Sequence, residues 1–189
     1  MAGKILLAMP KFFPALDDRL SELIRAQRLF FTGTAAADGR VNVSPKGLDT
    51  FRILSPARVG YLDATGSGNE TAAHLLAHGR ITFLFCTFEG PPLIIRIYGQ
   101  GRSVQRHHPE WELLRAHFGP TLAGERQLII AEIQSVQTSC GFGVPLYEFK
   151  ENRTQLSDWA ERKSADDLRA YRAEKNTVSI DGLPTGWAN

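Results

Sequence analysis

What most constrains this chain is the way its strand-like segments are joined. Leu29 to Ala36 and Arg40 to Lys46 flank Asp38-Gly39, a two-residue hairpin signal. Phe51–Leu54 and Arg58–Asp63 flank Ser55-Pro56, and Arg80–Thr87 and Leu93–Gln105 flank Gly90-Pro91-Pro92. A further strand is expected over 127–139, and Leu146–Phe149 reads as a short extended piece after a turn at Gly141–Pro145. Turns this short join antiparallel neighbours. A doubly wound sheet needs a helical crossover between successive strands, and six or seven strands with few helices between them cannot supply it. The expected fold class is mainly β, an antiparallel β-barrel with peripheral helices.

The helices are few and locally signalled. Leu16, Leu20, Leu23, Ile24 and Gln27 share one helical face, which predicts a helix over 15–27 with Asp17 and Asp18 in its first turn. A second helix is expected over 69–78, ended by Gly79, and a third from Pro109 to about His117. After Lys150 charge and helix formers dominate. Leu156, Trp159, Leu168 and Tyr171 are the apolar anchors there, and Ser164 to Asp167 has capping-box spacing that predicts a helix break near Ser164. Ser179 to Pro184 carries turn chemistry. The organisation expected is a barrel over 1–150 and a helical C-terminal extension over 151–189, packed on the barrel or on a dimer partner. Neither an internal repeat nor a low-complexity segment is visible.

Composition excludes several function classes. A net charge of +2 is too small for electrostatically driven nucleic-acid binding. No apolar run approaches the ~18–20 residues that cross a bilayer, so no membrane role is expected. Met1 to Pro10 lacks the h-region and cleavage site of a signal peptide. Cys86 and Cys140 form neither a disulfide framework nor a C-x-x-C pair. A cytoplasmic location is expected.

The segment richest in chemistry is Thr65-Gly66-Ser67-Gly68-Asn69-Glu70-Thr71, between a strand and a helix. Glycines admit close backbone approach, and free N–H groups at a helix start hold anions, so phosphate is a natural guest. It is neither a P-loop nor a dinucleotide fingerprint. Ser67 and Glu70 also have capping-box spacing and could merely start the helix. In the strand before it, Val41 and Val43 alternate with Asn42, Ser44 and Lys46, and Pro45 should end regular pairing or mark a bulge. Lys46, or Arg96 inside the apolar run Leu93–Tyr98, would supply a cation, unless Arg96 serves an internal ion pair. His74 with His78, and His107-His108 with Glu110, lack further ligands, so no metal site is expected. Cys86 reads as a small buried hydrophobe, and Cys140 lacks an adjacent His partner.

Together Val43-Ser44-Pro45-Lys46-Gly47, Tyr61 to Leu75, Gly79-Arg80-Ile81-Thr82 and Pro92 to Gly99 resemble the FMN-binding split barrel of the pyridoxamine 5′-phosphate oxidase-related proteins, across about 15–140. The tail resembles an extension found in one uncharacterised subgroup. The resemblance implies FMN as cofactor, at the interface of a homodimer, and hydride transfer between FMN and a small-molecule substrate. It implies cofactor-binding residues Asn42, Val43, Ser44 and Lys46 beside the ring. Asp63, Thr65, Ser67, Gly68, Asn69, Glu70, Thr71 and Arg96 are expected around the phosphate. No catalytic residue is implied. Glu70 and Thr71 stand where the true oxidases carry an Arg-Lys pair, and Val41 where they carry arginine. The arginine-rich C-terminal substrate motif is not recognisable, which points away from pyridoxamine phosphate as substrate. Other ligands of such barrels are deazaflavin and haem, and a flavin-binding, stress-related protein without turnover is a further alternative.

Overall fold

A computed structural model describes residues 10–187; Met1 to Met9, most of the segment tested above for a signal peptide, lie outside the described residues. The elements in chain order are β1 Lys11–Phe13, α1 Asp18–Arg25, β2 Phe30–Thr34, β3 Asn42–Lys46, β4 Phe51–Ser55 and β5 Arg58–Ala64. Then follow α2 Glu70–Ala77, β6 Arg80–Cys86, β7 Leu93–Gln105, α3 Trp111–Arg115, β8 Glu125–Cys140, α4 Gln155–Glu161 and α5 Ala165–Lys175. Among the described residues no helix is long and apolar enough to cross a membrane.

The strands form one antiparallel sheet in the order β3-β2-β6-β7-β8-β5-β4, with β1 added on β8. β8 is sixteen residues long, so β7 runs along one edge while β5 and β1 share the other. The sheet rolls up. Four strands lie between β3 and β5 in the order, yet Lys46 Nζ lies 2.8 Å from Asp63 Oδ1. The rings of Phe30 on β2 and Phe51 on β4 are 5.0 Å apart. Among the described residues no ladder joins β3 to β4, so the barrel has a seam.

The interior is aromatic and β-branched. Phe30, Tyr61, Phe83, Phe85, Ile95, Ile97 and Ile129 fill it, and Leu20 and Ile24 bring α1 into the same cluster, with Leu16 just ahead of the helix. A second cluster packs Trp111, Leu114 and Phe118 against Leu62, Val104, Leu128 and Ile130. β5 and the start of β8 are therefore buried on both faces, which explains their nearly unbroken apolar runs.

Several expectations are corrected here. The described residues form eight strands rather than six or seven, and the three residues of β1 give no usable period in the sequence. Pro45 stays in register opposite Phe31, with no bulge: β3 is an edge strand, where a missing N–H disturbs no ladder. α1 begins at Asp18 because Asp17 is its cap, accepting from Leu20 N at 2.7 Å. α3 begins at Trp111, and Pro109 sits in the preceding turn, where His108 O accepts from Trp111 N. Residues 146–149 join no ladder. Gly79 takes φ +71° just past α2, as its place predicts.

The extension follows its sequence in outline and departs from it in how it is held. Ser164 and Asp167 form the expected capping box on α5. The expected anchors do little of the fastening, because Leu156 is exposed and α5 has no fully buried side chain. Trp159 and Tyr171 instead pack edge to face on each other, 5.0 Å apart. The attachment to the barrel is polar. Arg172 donates to Thr65 Oγ1 at 2.8 Å, Glu125 O at 3.1 Å and Gly124 O at 3.4 Å.

Candidate functional site

The seam opens a cleft of about 360 Å³ between β3, the end of β5 and the loop that starts α2. Nine of the twelve residues expected at a cofactor site line it: Asn42, Ser44, Lys46, Asp63, Ser67, Gly68, Asn69, Glu70 and Thr71. Strand alternation explains the first three. β3 turns its polar face inward, leaving Val41 and Val43 72% and 64% exposed on the outside. Val43 is thus on β3 but not in the cleft.

The floor is a charged triad. Asp63, at the end of β5, is buried and accepts from Lys46 Nζ at 2.8 Å, Arg126 Nη2 at 2.6 Å and Gln127 Nε2 at 2.9 Å. Burial alone would raise the Asp63 pKa, but the two cations hold it well below the usual carboxylate range. Burial likewise pulls Lys46 down, and the Asp63 carboxylate outweighs it and holds the ammonium above the ordinary lysine range. Two cations against one carboxylate leave an excess of positive charge on the floor.

Beside the floor lies the N-terminus of α2. Asn69 occupies the cap position, yet no side chain caps the helix. The capping box anticipated from Ser67 and Glu70 does not form. Ser67 is exposed, and the Glu70 carboxylate turns away to accept from Ile180 N at 3.1 and 3.2 Å. Asn69 spends its side chain on Gln127 and on Asn176 O. The loop carbonyls are also occupied: Gly68 O accepts from Arg126 Nη1 and Gly66 O from Asn176 Nδ2, both at 3.0 Å. Loop carbonyls are thus engaged while the helix N–H groups lack a side-chain acceptor, which is the polarity an anion requires.

The wall on the β3 side is a chain of neutral groups. Ser44 Oγ donates to Asn42 Oδ1, and Asn42 Nδ2 reaches both Thr34 Oγ1 and Thr71 Oγ1. Buried His74 ends this chain at Thr34, 3.1 Å away. Among the described residues no group of three or more His, Cys, Asp or Glu stands together to hold a metal.

Two further expected residues lie off the cleft. Thr65 sits beneath it, donating to Gly124 O at 2.7 Å. Arg96 alternates with the buried Ile95 and Ile97, so it faces out of the barrel and donates to Ser139 Oγ at 2.9 Å. The cation standing by the loop is Arg126, only 4% exposed, with its Nε buried and unpartnered. A strand read from Gln127 leaves Arg126 outside it; the charged pair Glu125-Arg126 ahead of an apolar run is the signal the sequence offers. Asn176 gave no local signal, since its loop partner is 110 positions away.

Comparison with known proteins shows what the chain resembles. Residues 16–140 match the model of a family described as pyridoxamine 5′-phosphate oxidase. The chain is 39% identical, over 193 residues, to the pyridoxamine 5′-phosphate oxidase family protein ustO of Aspergillus flavus, covering 93% of this chain and 78% of that one. A solved protein of Lactobacillus delbrueckii, provisionally assigned as a pyridoxamine 5′-phosphate oxidase, superposes with TM-score 0.51 at 18% identity, over 66% of this chain and 94% of its own. An FAD-binding protein of Mesorhizobium loti gives TM-score 0.49 at 13% identity, over 70% and 99%.

Proposed function

The chain belongs to the pyridoxamine 5′-phosphate oxidase family, and on that premise we propose that it is a flavoprotein oxidoreductase whose FMN phosphate sits at the start of α2. The observation that carries this is the donor set there. α2 has no side-chain cap, and Arg126 beside it is buried with an orphaned Nε. A buried, unpaired donor is costly, and an anion offsets that cost. The residues therefore fit a phosphate even though Glu70 and Thr71 replace the expected basic pair.

In this reading Ser67, Gly68 and the first N–H groups of α2 hold the phosphate, with Arg126 as the neighbouring charge. Asn42, Ser44 and Lys46 line the wall available to the ring. When bound, FMN supplies two-electron transfer between its ring and a small molecule. Lys46 contributes a fixed positive charge, because Asp63 keeps it protonated throughout the neutral range. Asp63 is too firmly ionised to serve as a general base near neutral pH. The chain thus contributes binding, orientation and electrostatics. The substrate is a small molecule other than pyridoxamine phosphate.

We also propose that the working form is a homodimer. Val43 on the edge strand β3 and Val41 just before it lie exposed, a surface that a second copy would cover. The decisive experiment is mass spectrometry of the ligand released from purified protein, with its absorption spectrum. Released FMN and a flavin spectrum are expected. A Soret band, or a colourless protein that takes up no added FMN, overturns the assignment.

A further inference from the structure

The geometry points to Asn176, in the C-terminal extension, as the residue that sets the shape and charge of the anion cradle; this rests on the phosphate site proposed above. Asn176 is the C-cap of α5 and is 0% exposed, which is unusual for a polar residue outside a regular element. Each of its polar groups is engaged. Its backbone N donates to Arg172 O at 2.8 Å, continuing the last turn of α5. Its carbonyl accepts from Asn69 Nδ2 at 3.2 Å and from Thr185 Oγ1 at 2.6 Å. Its side-chain amide reaches the cradle from behind. Nδ2 donates to Gly66 O at 3.0 Å, and Oδ1 accepts from Arg126 Nη1 at 2.7 Å.

The consequence is specific. A peptide group whose carbonyl is held on one side must direct its N–H to the other, so bonding Gly66 O restricts how the loop peptides can turn. The neutral amide also orients Arg126 without neutralising it. A carboxylate there would hold Arg126 equally well and cancel its charge. The extension is therefore a positioning device for the site, and Asn176 is a positioning residue. The neighbouring tail contacts act in the same sense. Glu70, the one carboxylate in the first turn of α2, is held by Ile180 N. Asp181 is held in turn by Arg40, just before β3. By linkage, a ligand that needs the ordered loop must also hold the tail.

The test compares Asn176→Asp with Asn176→Ala, using FMN and riboflavin as paired probes. Riboflavin lacks the phosphate and reports on the rest of the site. Asn176→Asp keeps the Arg126 bond but loses the donor to Gly66 O, so the ligand-free protein should stay folded with a melting temperature lowered by no more than Asn176→Ala lowers it. The FMN affinity of the Asp variant should fall roughly tenfold or more, the scale of a charge-assisted hydrogen bond, while riboflavin affinity stays near wild type. Asn176→Ala should accelerate amide exchange at 66–70 in the ligand-free protein and leave exchange in β6 and β7 unchanged. FMN affinity equal to wild type in the Asp variant, or unchanged loop exchange in the Ala variant, overturns the inference. Wild-type protein that binds FMN no better than riboflavin instead overturns the phosphate site itself.

Discussion

The barrel interior and the polar rim around the cleft are built on opposite principles. Inside, Phe30 contacts the rings of Phe51, Tyr61, Phe83 and Phe85 at 5.0–6.2 Å, and the side chains interlock without charge. At the rim, loop 65–70 meets β8 and the tail through a carboxylate, guanidinium groups and amides. Apolar packing is non-directional and tolerates volume-conserving change. Buried polar networks are directional, and each unmade bond is costly. The interior thus holds the fold together, and the rim holds a few donors in one arrangement. Mutations should separate the two.

The largest expected effect is in the interior. Phe83 is fully buried at the centre of the aromatic cluster, so Phe83→Ala should lower unfolding stability by ~3–5 kcal/mol, the usual range for deleting a buried ring. Urea unfolding of the FMN-free protein measures this. A loss below ~1 kcal/mol would mean that the ring cluster can collapse around the gap and that the division drawn above is too sharp.

A smaller effect, with its own pH signature, is expected at the rim. Lys46→Met removes one of the two cations on Asp63 and leaves Arg126 and Gln127 in place. The cost near pH 7 should be ~1–2 kcal/mol, below that of stripping a buried ion of every partner. The sign follows from the shifts. Asp63 has a depressed pKa in the folded protein, so its contribution is present above the unfolded value near ~4 and is lost as pH falls toward the folded value. Lys46 has a raised pKa, so its contribution is complete below ~10.4 and is lost only at higher pH. The gap between wild type and variant should be flat from about pH 5 to 9 and should narrow in acid. A gap that widens in acid would show that Asp63 is not the partner that matters.

The same contrast explains what was legible in the sequence. Barrel strands declare themselves because their partners are near in sequence or their period is regular. Turns at Asp38-Gly39 and Gly90-Pro91-Pro92 gave antiparallel neighbours, and β3 revealed its polar face through strict alternation. The loop at 65–71 was also visible, being local. Its cation was not. Arg96 and Arg126 are both arginines beside apolar runs, and choosing between them requires knowing which end of which strand meets the seam. Arg96 alternates with interior residues and so faces outward, whereas Arg126 stands at the start of β8 beside the end of β5. Asn176 was invisible because its role is set by loop contacts more than a hundred positions away. Apolar anchors were assigned to the extension by composition, but a segment fastened through amides and guanidinium groups carries no such pattern.

The smallest expected effect on stability falls where the expected effect on binding is large. Gly68 has no left-handed backbone angle, and an added Cβ would meet only Glu70 Oε1, at 3.6 Å, an ordinary contact. Gly68→Ala should therefore change the stability of the ligand-free protein by less than ~1 kcal/mol, with a gain as reasonable as a loss because alanine restricts the unfolded chain. If the loop only starts a helix, nothing else should change. If its backbone closes around a phosphate, the methyl group occupies space on the ligand side, and FMN affinity should drop while riboflavin affinity stays near wild type. Unchanged FMN affinity would leave Arg126 and side-chain hydroxyls as the phosphate's holders, and the rim would be a scaffold for side chains. Lost FMN affinity with intact stability would make the backbone itself the ligand, the sharpest contrast available with an interior where only side chains act.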